Sequence, residues 1–203
     1  MPSDLDLYFV PSQTGRHHHT DKGSKFIALA ARAQTVAKAE EILDGERRHY
    51  HDATHHCFAW NVAGEKKQSD DGEPSGTAGA PIARALGAAK LEEAVVVVTR
   101  YFGGTRLGTG GLIRAYGEAA QAALELAGRE ERYRHTEVLV SFDFADTSAV
   151  HHAASLFGAR QIGAAYGLQA ALRFELRKSR AEAFALAVIE GTHGRAKVHG
   201  PPV

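Results

Sequence analysis

The chain has 203 residues, 44% of them hydrophobic, and its 24 basic and 24 acidic side chains cancel. That length allows one large domain or two small ones with adequate cores, and the zero balance gives no global field selecting nucleic acid, membrane or acidic substrate. A single cysteine, Cys57, excludes an internal disulfide; no apolar run is long enough for a bilayer, and Met1-Pro2-Ser3-Asp4-Leu5 lacks the regions of a signal peptide, so a cytoplasmic protein is expected.

In chain order, Leu5 to Val10 alternates weakly and stops at Pro11, a short strand. The polar piece from Gly15 through His17 to His19 reads as a turn with a solvated edge, and Ser24 to Ala33 as a second strand carrying Phe26, Ile27 and Leu29. Val36, Ala39, Ile42 and Leu43 recur at helical spacing between Thr35 and Arg48, with Thr35 as N-cap. His55 to Ala63 alternates as a strand, which puts His56, Phe58 and Trp60 on one face and His55, Cys57 and Ala59 on the other. A polar loop from Ser69 to Gly76 leads into a short helix from about Ala78 to Leu86. Val95 to Val98 leave neither face polar, so Ala94 to Phe102 reads as a buried strand. Leu112 to Ala127 is predicted as a helix burying Leu112, Tyr116, Ala119, Ala123 and Leu126 and ending at Gly128.

The pattern then changes. Arg129-Glu130-Glu131-Arg132 reads as a charged linker dividing residues 1–131 from residues 132–203. The second part runs strand, helix, strand, strand, helix, strand: 137–144, 148–157, 161–166, 169–176, 180–190 and 195–198. That order predicts a ferredoxin-like α/β sandwich, so the fold class is α/β of the α+β kind with two domains. Residues 132–203 hold nine basic and six acidic side chains, a mildly basic domain that leaves an RNA or ribosome contact open.

Three constellations carry candidate chemistry. The first is the turn from Arg100 to Gly111, with five glycines in nine residues between an apolar strand and an alanine-rich helix. Thr109 is its natural N-cap, the N–H groups of Gly110, Gly111 and Leu112 open the helix toward an anion, and Arg106 and Arg114 are placed to close over it. The string has neither the lysine of a nucleotide-binding P-loop nor the dinucleotide spacing. A tight turn for close strand–helix packing explains the glycines equally well. Arg100, inside an apolar strand, is expected near the strand's exposed end beside a carboxylate.

The second constellation is Ser69-Asp70-Asp71-Gly72-Glu73-Pro74-Ser75-Gly76-Thr77, an acidic loop feeding a helix. Ser75 and Thr77 are candidate caps, and Asp70, Asp71 and Glu73 would either hold Mg²⁺ or meet arginines of the glycine turn; the salt-bridged rim is favoured and the spacing is not that of a calcium loop. The third is His49, His51, His55, His56 and Cys57. It lacks the thiols and spacing of a zinc site, and His55 and Cys57 lie roughly 7 Å apart along the strand, poorly placed as a catalytic pair. His56 beside Trp60 is read instead as a surface for stacking on bases or gripping a peptide.

Asp52-Ala53-Thr54-His55-His56-Cys57, the Ser69 to Gly79 string and the Arg100 to Leu112 string, in this order, resemble the IMPACT/YigZ family, with the likeness running from about Ser24 to Gly128. The resemblance implies an N-terminal domain similar to the second domain of a small-subunit ribosomal protein and a C-terminal domain similar to a ferredoxin-like domain of elongation factor G. It implies a nucleic-acid or translation-linked role and supplies no catalytic residue to carry over. The kinase-restraining activity of eukaryotic members uses an extra N-terminal domain and is not expected here.

The expected binding surface comprises His55, His56, Asp70, Asp71, Glu73, Ser75, Thr77, Arg100, Gly103, Gly104, Arg106, Gly108, Gly110, Gly111 and Arg114. A non-enzymatic monomer is expected to meet RNA, the ribosome or a translation factor through it, without DNA specificity, membrane contact or resident cofactor. The alternative is a Mg²⁺-dependent hydrolase or phosphotransferase holding a phosphorylated small molecule at the glycine turn.

Overall fold

The computed structural model describes residues 5–200, which fall into two compact units. One is Tyr8–Glu131; the other combines residues 5–7 with residues 132–200. Residues 5–7 group with the C-terminal part through Asp6, whose carboxylate accepts the backbone N–H of Ser179 at 3.0 Å and its hydroxyl at 2.5 Å.

The first unit runs β1 (Leu7–Val10), β2 (Gly15–Asp21), β3 (Ser24–Arg32), α1 (Val36–His49), β4 (His55–Val62), β5 (Glu65–Ser69), α2 (Gly79–Ala89), β6 (Ala94–Tyr101) and α3 (Gly108–Ala127). Five strands form an antiparallel sheet in the order β2-β3-β6-β4-β5. The valine run of β6 lies at its centre and alternates as its composition demands. Val95 and Val97 pack with Phe58, Trp60 and Leu43 under α1, while Val96 and Val98 pack with Cys57, Ile82 and Tyr116 under α2 and α3. Helices on both faces leave no polar side to the central strands. Thr35 caps α1 as predicted, its hydroxyl accepting from the Lys38 N–H at 3.2 Å.

Two outer strands differ from the sequence reading. The piece from Gly15 to Asp21 is strand β2 rather than a turn, and Glu65 to Ser69 forms β5 inside what read as strand end and loop. Each pairs on one side only and is largely solvated, so hydrogen bonding defines it where no alternation of apolar residues does. Leu126 is half exposed; Leu124 and Ala127 take its place in the core.

The second unit carries β8 (His135–Phe142), α4 (Thr147–Phe157), β9 (Arg160–Tyr166), β10 (Ala170–Arg177), α5 (Ala181–Gly191) and β11 (Lys197–His199). Preceding them, the charged stretch expected as linker forms strand β7 (Glu130–Tyr133). The four-stranded antiparallel sheet has the order β11-β8-β10-β9, and Val138, Val140, Phe142, Leu172, Phe174 and Leu176 pack against Val150, Phe184 and Val188 of the two helices. No helix among the described residues is long and apolar enough to cross a membrane.

Candidate functional site

Sheet register builds the site. Arg100 on β6 pairs with Phe26 on β3 and His55 on β4, and the period of two that buries Val96 and Val98 beneath α2 and α3 turns Arg100 the same way. Its guanidinium is therefore 5% exposed rather than at a solvated strand end, and it needs a counter-charge. The acidic loop supplies Glu73, whose Oε1 accepts from Arg100 at 2.6 Å and from the Tyr116 hydroxyl at 2.7 Å. Ser24 Oγ accepts a second guanidinium N–H at 3.3 Å, and Phe26 and Phe102 lie 5.4 and 5.6 Å from the guanidinium carbon. Arg100 Nε remains without a partner.

Cys57 adjoins this network, its thiol donating to the Asp70 carbonyl at 3.0 Å. Burial pushes the thiol far up, with Glu73, Asp71 and Asp70 adding to the effect against a hydrogen bond with Tyr116. Burial, followed by Cys57 and Glu73, does the same to the Tyr116 phenol. Both stay protonated, so Cys57 is no thiolate nucleophile.

The acidic loop is held from within. Asp70 Oδ1 accepts from the Ala78 and Gly79 N–H groups at 3.0 and 2.8 Å, and Oδ2 from Gly76 at 2.8 Å. It caps α2 across the loop, the role expected of Ser75 and Thr77; Thr77 instead donates to the Pro74 carbonyl at 2.6 Å, and Ser75 is exposed. Asp71 Oδ2 accepts the His56 N–H at 2.6 Å, tying the loop to β4. His55 Nδ1 lies 2.7 Å from the Asp71 carbonyl, which only accepts, so Nδ1 carries the proton and Nε2 faces Glu73 at 3.9 Å. The three carboxylates are thus directed to three different partners and do not fit a shared Mg²⁺. Among the described residues no three His, Cys, Asp or Glu side chains converge for a metal.

This capping has a pH signature. Burial raises the Asp70 pKa, but the N–H groups of Gly76, Gly79 and Ala78 together hold it below its ordinary 3.8. A depressed carboxylate contributes stability above its unfolded value and loses it as pH falls through the folded one. Asp70→Asn is expected to cost about 1 kcal/mol near neutral pH and to remove part of the decline below pH 3.8, read by urea denaturation across that range. An unchanged acid limb would contradict the capping role.

Between loop and glycine turn lies a cleft of about 330 Å³ lined by Glu73, Pro74, Arg100, Phe102, Arg106, Leu107, Gly108, Thr109 and Leu112. Helix α3 begins at Gly108, with Leu107 rather than Thr109 at the N-cap and no side chain capping it. Its exposed first turn therefore presents uncapped N–H groups and the positive end of the helix dipole. Arg106 at the rim is exposed, with no ion-pair partner among the described residues.

The glycines divide by role. A Cβ on Gly103 would lie 1.9 Å from the carbonyl carbon of Gly23, so this glycine lets the turn rest on the β2–β3 hairpin. Gly104 and Gly108 sit at φ 84° and 71°. A Cβ on Gly110 would meet nothing within 4 Å, and its φ is not positive. Nothing in the fold requires a glycine there.

Of the expected surface, Glu73, Arg100, Arg106 and Gly108 line one cleft. Gly110, Gly111 and exposed Arg114, all on α3, lie outside that lining. His56 is 8% exposed, its Nε2 unpartnered, so it offers no stacking surface; burial lowers its pKa against the pull of Asp71. Tyr116 and Ser24 carry the network unanticipated. Tyr116 was legible only as a core residue of α3, and Ser24 gave no signal.

The first unit is a helix-covered antiparallel sheet whose acidic loop is pinned to a buried arginine beside a glycine-opened helix. The chain belongs to the IMPACT family: the Impact N-terminal domain matches residues 22–124. It is 42% identical to the IMPACT family member YvyE of Bacillus subtilis over 63% of this chain and 60% of that protein. Identity to the IMPACT family member YigZ of Escherichia coli is 32%, over 94% of this chain and 96% of that one. A solved crystal structure of a hypothetical protein superposes with a TM-score of 0.73 at 27% identity, covering 98% of each chain.

Proposed function

We propose that the protein is a non-catalytic, cytoplasmic RNA-binding protein with a translation-linked role, holding backbone phosphate in the cleft between acidic loop and glycine turn. The observation that carries this reading is the uncapped start of α3 beside unpaired Arg106 in the cleft, with open space over Gly110 in the same first turn, just past the lining residue Thr109. Arg100, matched by Glu73, forms the floor and shapes the cleft, whereas Arg106 supplies its net positive charge. A binding role is favoured over hydrolysis because Asp70, Asp71 and Glu73 are consumed in holding the loop. The family resemblance adds the setting, the ribosome and its RNA.

Co-sedimentation with ribosomes over a salt series tests it. Binding is expected at low salt and to weaken steeply between about 50 and 200 mM, with Arg106→Ala weakening it and lowering the salt slope by about one. Absence of binding at low salt would overturn the reading.

A further inference from the structure

A second groove, of about 490 Å³, opens on the same unit and includes His18, Lys25, Tyr50, Tyr101 and Phe102 in its lining. Phe102 lines this groove and the phosphate cleft alike, so the two are neighbours at this residue. The ring is 49% exposed although it stands on a fixed backbone. Its own N–H donates to Thr54 Oγ1 at 3.1 Å, and the following N–H, of Gly103, donates to Ser24 Oγ at 3.1 Å. Beyond it, Tyr101 donates to Asp52 at 2.7 Å and meets Tyr50 edge-on at 6.5 Å. Asp52 is thereby engaged, and Lys25 and His18 provide the groove's basic groups.

We infer that the two grooves together take a single-stranded RNA, with a phosphate at Arg106 and the start of α3 and an unpaired base against Phe102 facing the Tyr101 groove. The inference rests on the RNA reading above and specifies its ligand. An exposed ring on an anchored backbone beside cations is the arrangement that stacks bases, since every base has a π face and a two-torsion side chain costs the protein little ordering. A duplex keeps those faces covered by neighbouring bases, so Phe102 cannot stack on them, while backbone phosphate remains available to Arg106 in either form. This groove also supplies the stacking that buried His56 cannot.

The test is fluorescence anisotropy with a labelled oligoribonucleotide of about a dozen nucleotides, alone and annealed to its complement, at low salt. The single strand is expected to bind more tightly than the duplex. Phe102→Ala should weaken single-strand binding about tenfold, the loss of one stacked base, and duplex binding by clearly less. Phe102→Trp should restore it, and a cooperative melting transition in both variants shows that the unit still folds. Equal affinity for the two forms, or equal affinity of wild type and Phe102→Ala for the single strand, would overturn the inference while leaving phosphate binding in place. Failure of wild type to bind either form would remove the RNA reading and this inference with it.

Discussion

Glu73→Ala is expected to lower the stability of the Tyr8–Glu131 unit by about 3–5 kcal/mol, the cost of stranding a buried charge. The side chains of Arg100 and Glu73 are 6% and 3% exposed, so water cannot substitute for the lost carboxylate. Removing it also leaves the Tyr116 hydroxyl, buried on α3, without its acceptor. Glu73→Gln keeps an oxygen in place and should lose less, while adding Arg100→Met to Glu73→Gln should recover stability, since the stranded charge is then gone. The measurement is urea denaturation followed by fluorescence. Trp60 is the one tryptophan in the chain, 2% exposed in the core of this unit, and therefore reports its unfolding alone. A loss below about 1 kcal/mol for Glu73→Ala would mean that the pair is solvated and contributes little.

This pair shows how far a sequence can be read. A charged residue in a valine-rich strand signals a counter-charge, and an acidic loop elsewhere in the chain makes Glu73 a candidate; that inference is electrostatic and needs no coordinates. The sequence cannot say how deep the pair lies, because depth depends on Phe26 of β3 and Phe102 of the turn lying against Arg100 and on Tyr116 of α3 holding Glu73. The helices and the buried strand β6 were legible because their side chains repeat at 3.6 or leave both faces apolar. Strands β2 and β5 were not, since an outer strand is held by its neighbour's backbone and carries little pattern of its own. The cap of α2 was misassigned for a related reason. Ser75 and Thr77 lie just ahead of α2 in sequence, yet Asp70 reaches Ala78 and Gly79 across the loop. The cleft was foreseeable as an acidic loop beside a glycine turn, while the aromatic groove joins residues from β2, β3, α1's end and β6 that no local string unites.

Gly103→Ala and Gly110→Ala should act in opposite directions, which separates a glycine that folds the turn from one proposed to serve a ligand. At Gly103 the added methyl carbon would lie 1.9 Å from the Gly23 carbonyl carbon and 2.2 Å from the Ser24 nitrogen. Both are backbone atoms of the β2–β3 hairpin, so no side chain can turn aside, and the hairpin or the turn must move as a body. That places the cost at about 3 kcal/mol, the upper part of the range for overpacking. The same shift would pull Ser24 from the Gly103 N–H and from Arg100, loosening the pair with Glu73. At Gly110 there is open space and an ordinary φ in the first turn of α3, so alanine should raise stability by up to about 1 kcal/mol. Gly110 follows the cleft-lining Thr109, so on the proposed reading its added methyl group would crowd the approach of phosphate to the first turn, and RNA affinity should fall while the melting temperature rises. Thermal unfolding alongside anisotropy on the two variants resolves the matter. If Gly110→Ala gains stability and keeps full affinity, close approach at α3 is not how the cleft binds; if it loses stability, the open space above Gly110 is not open in solution.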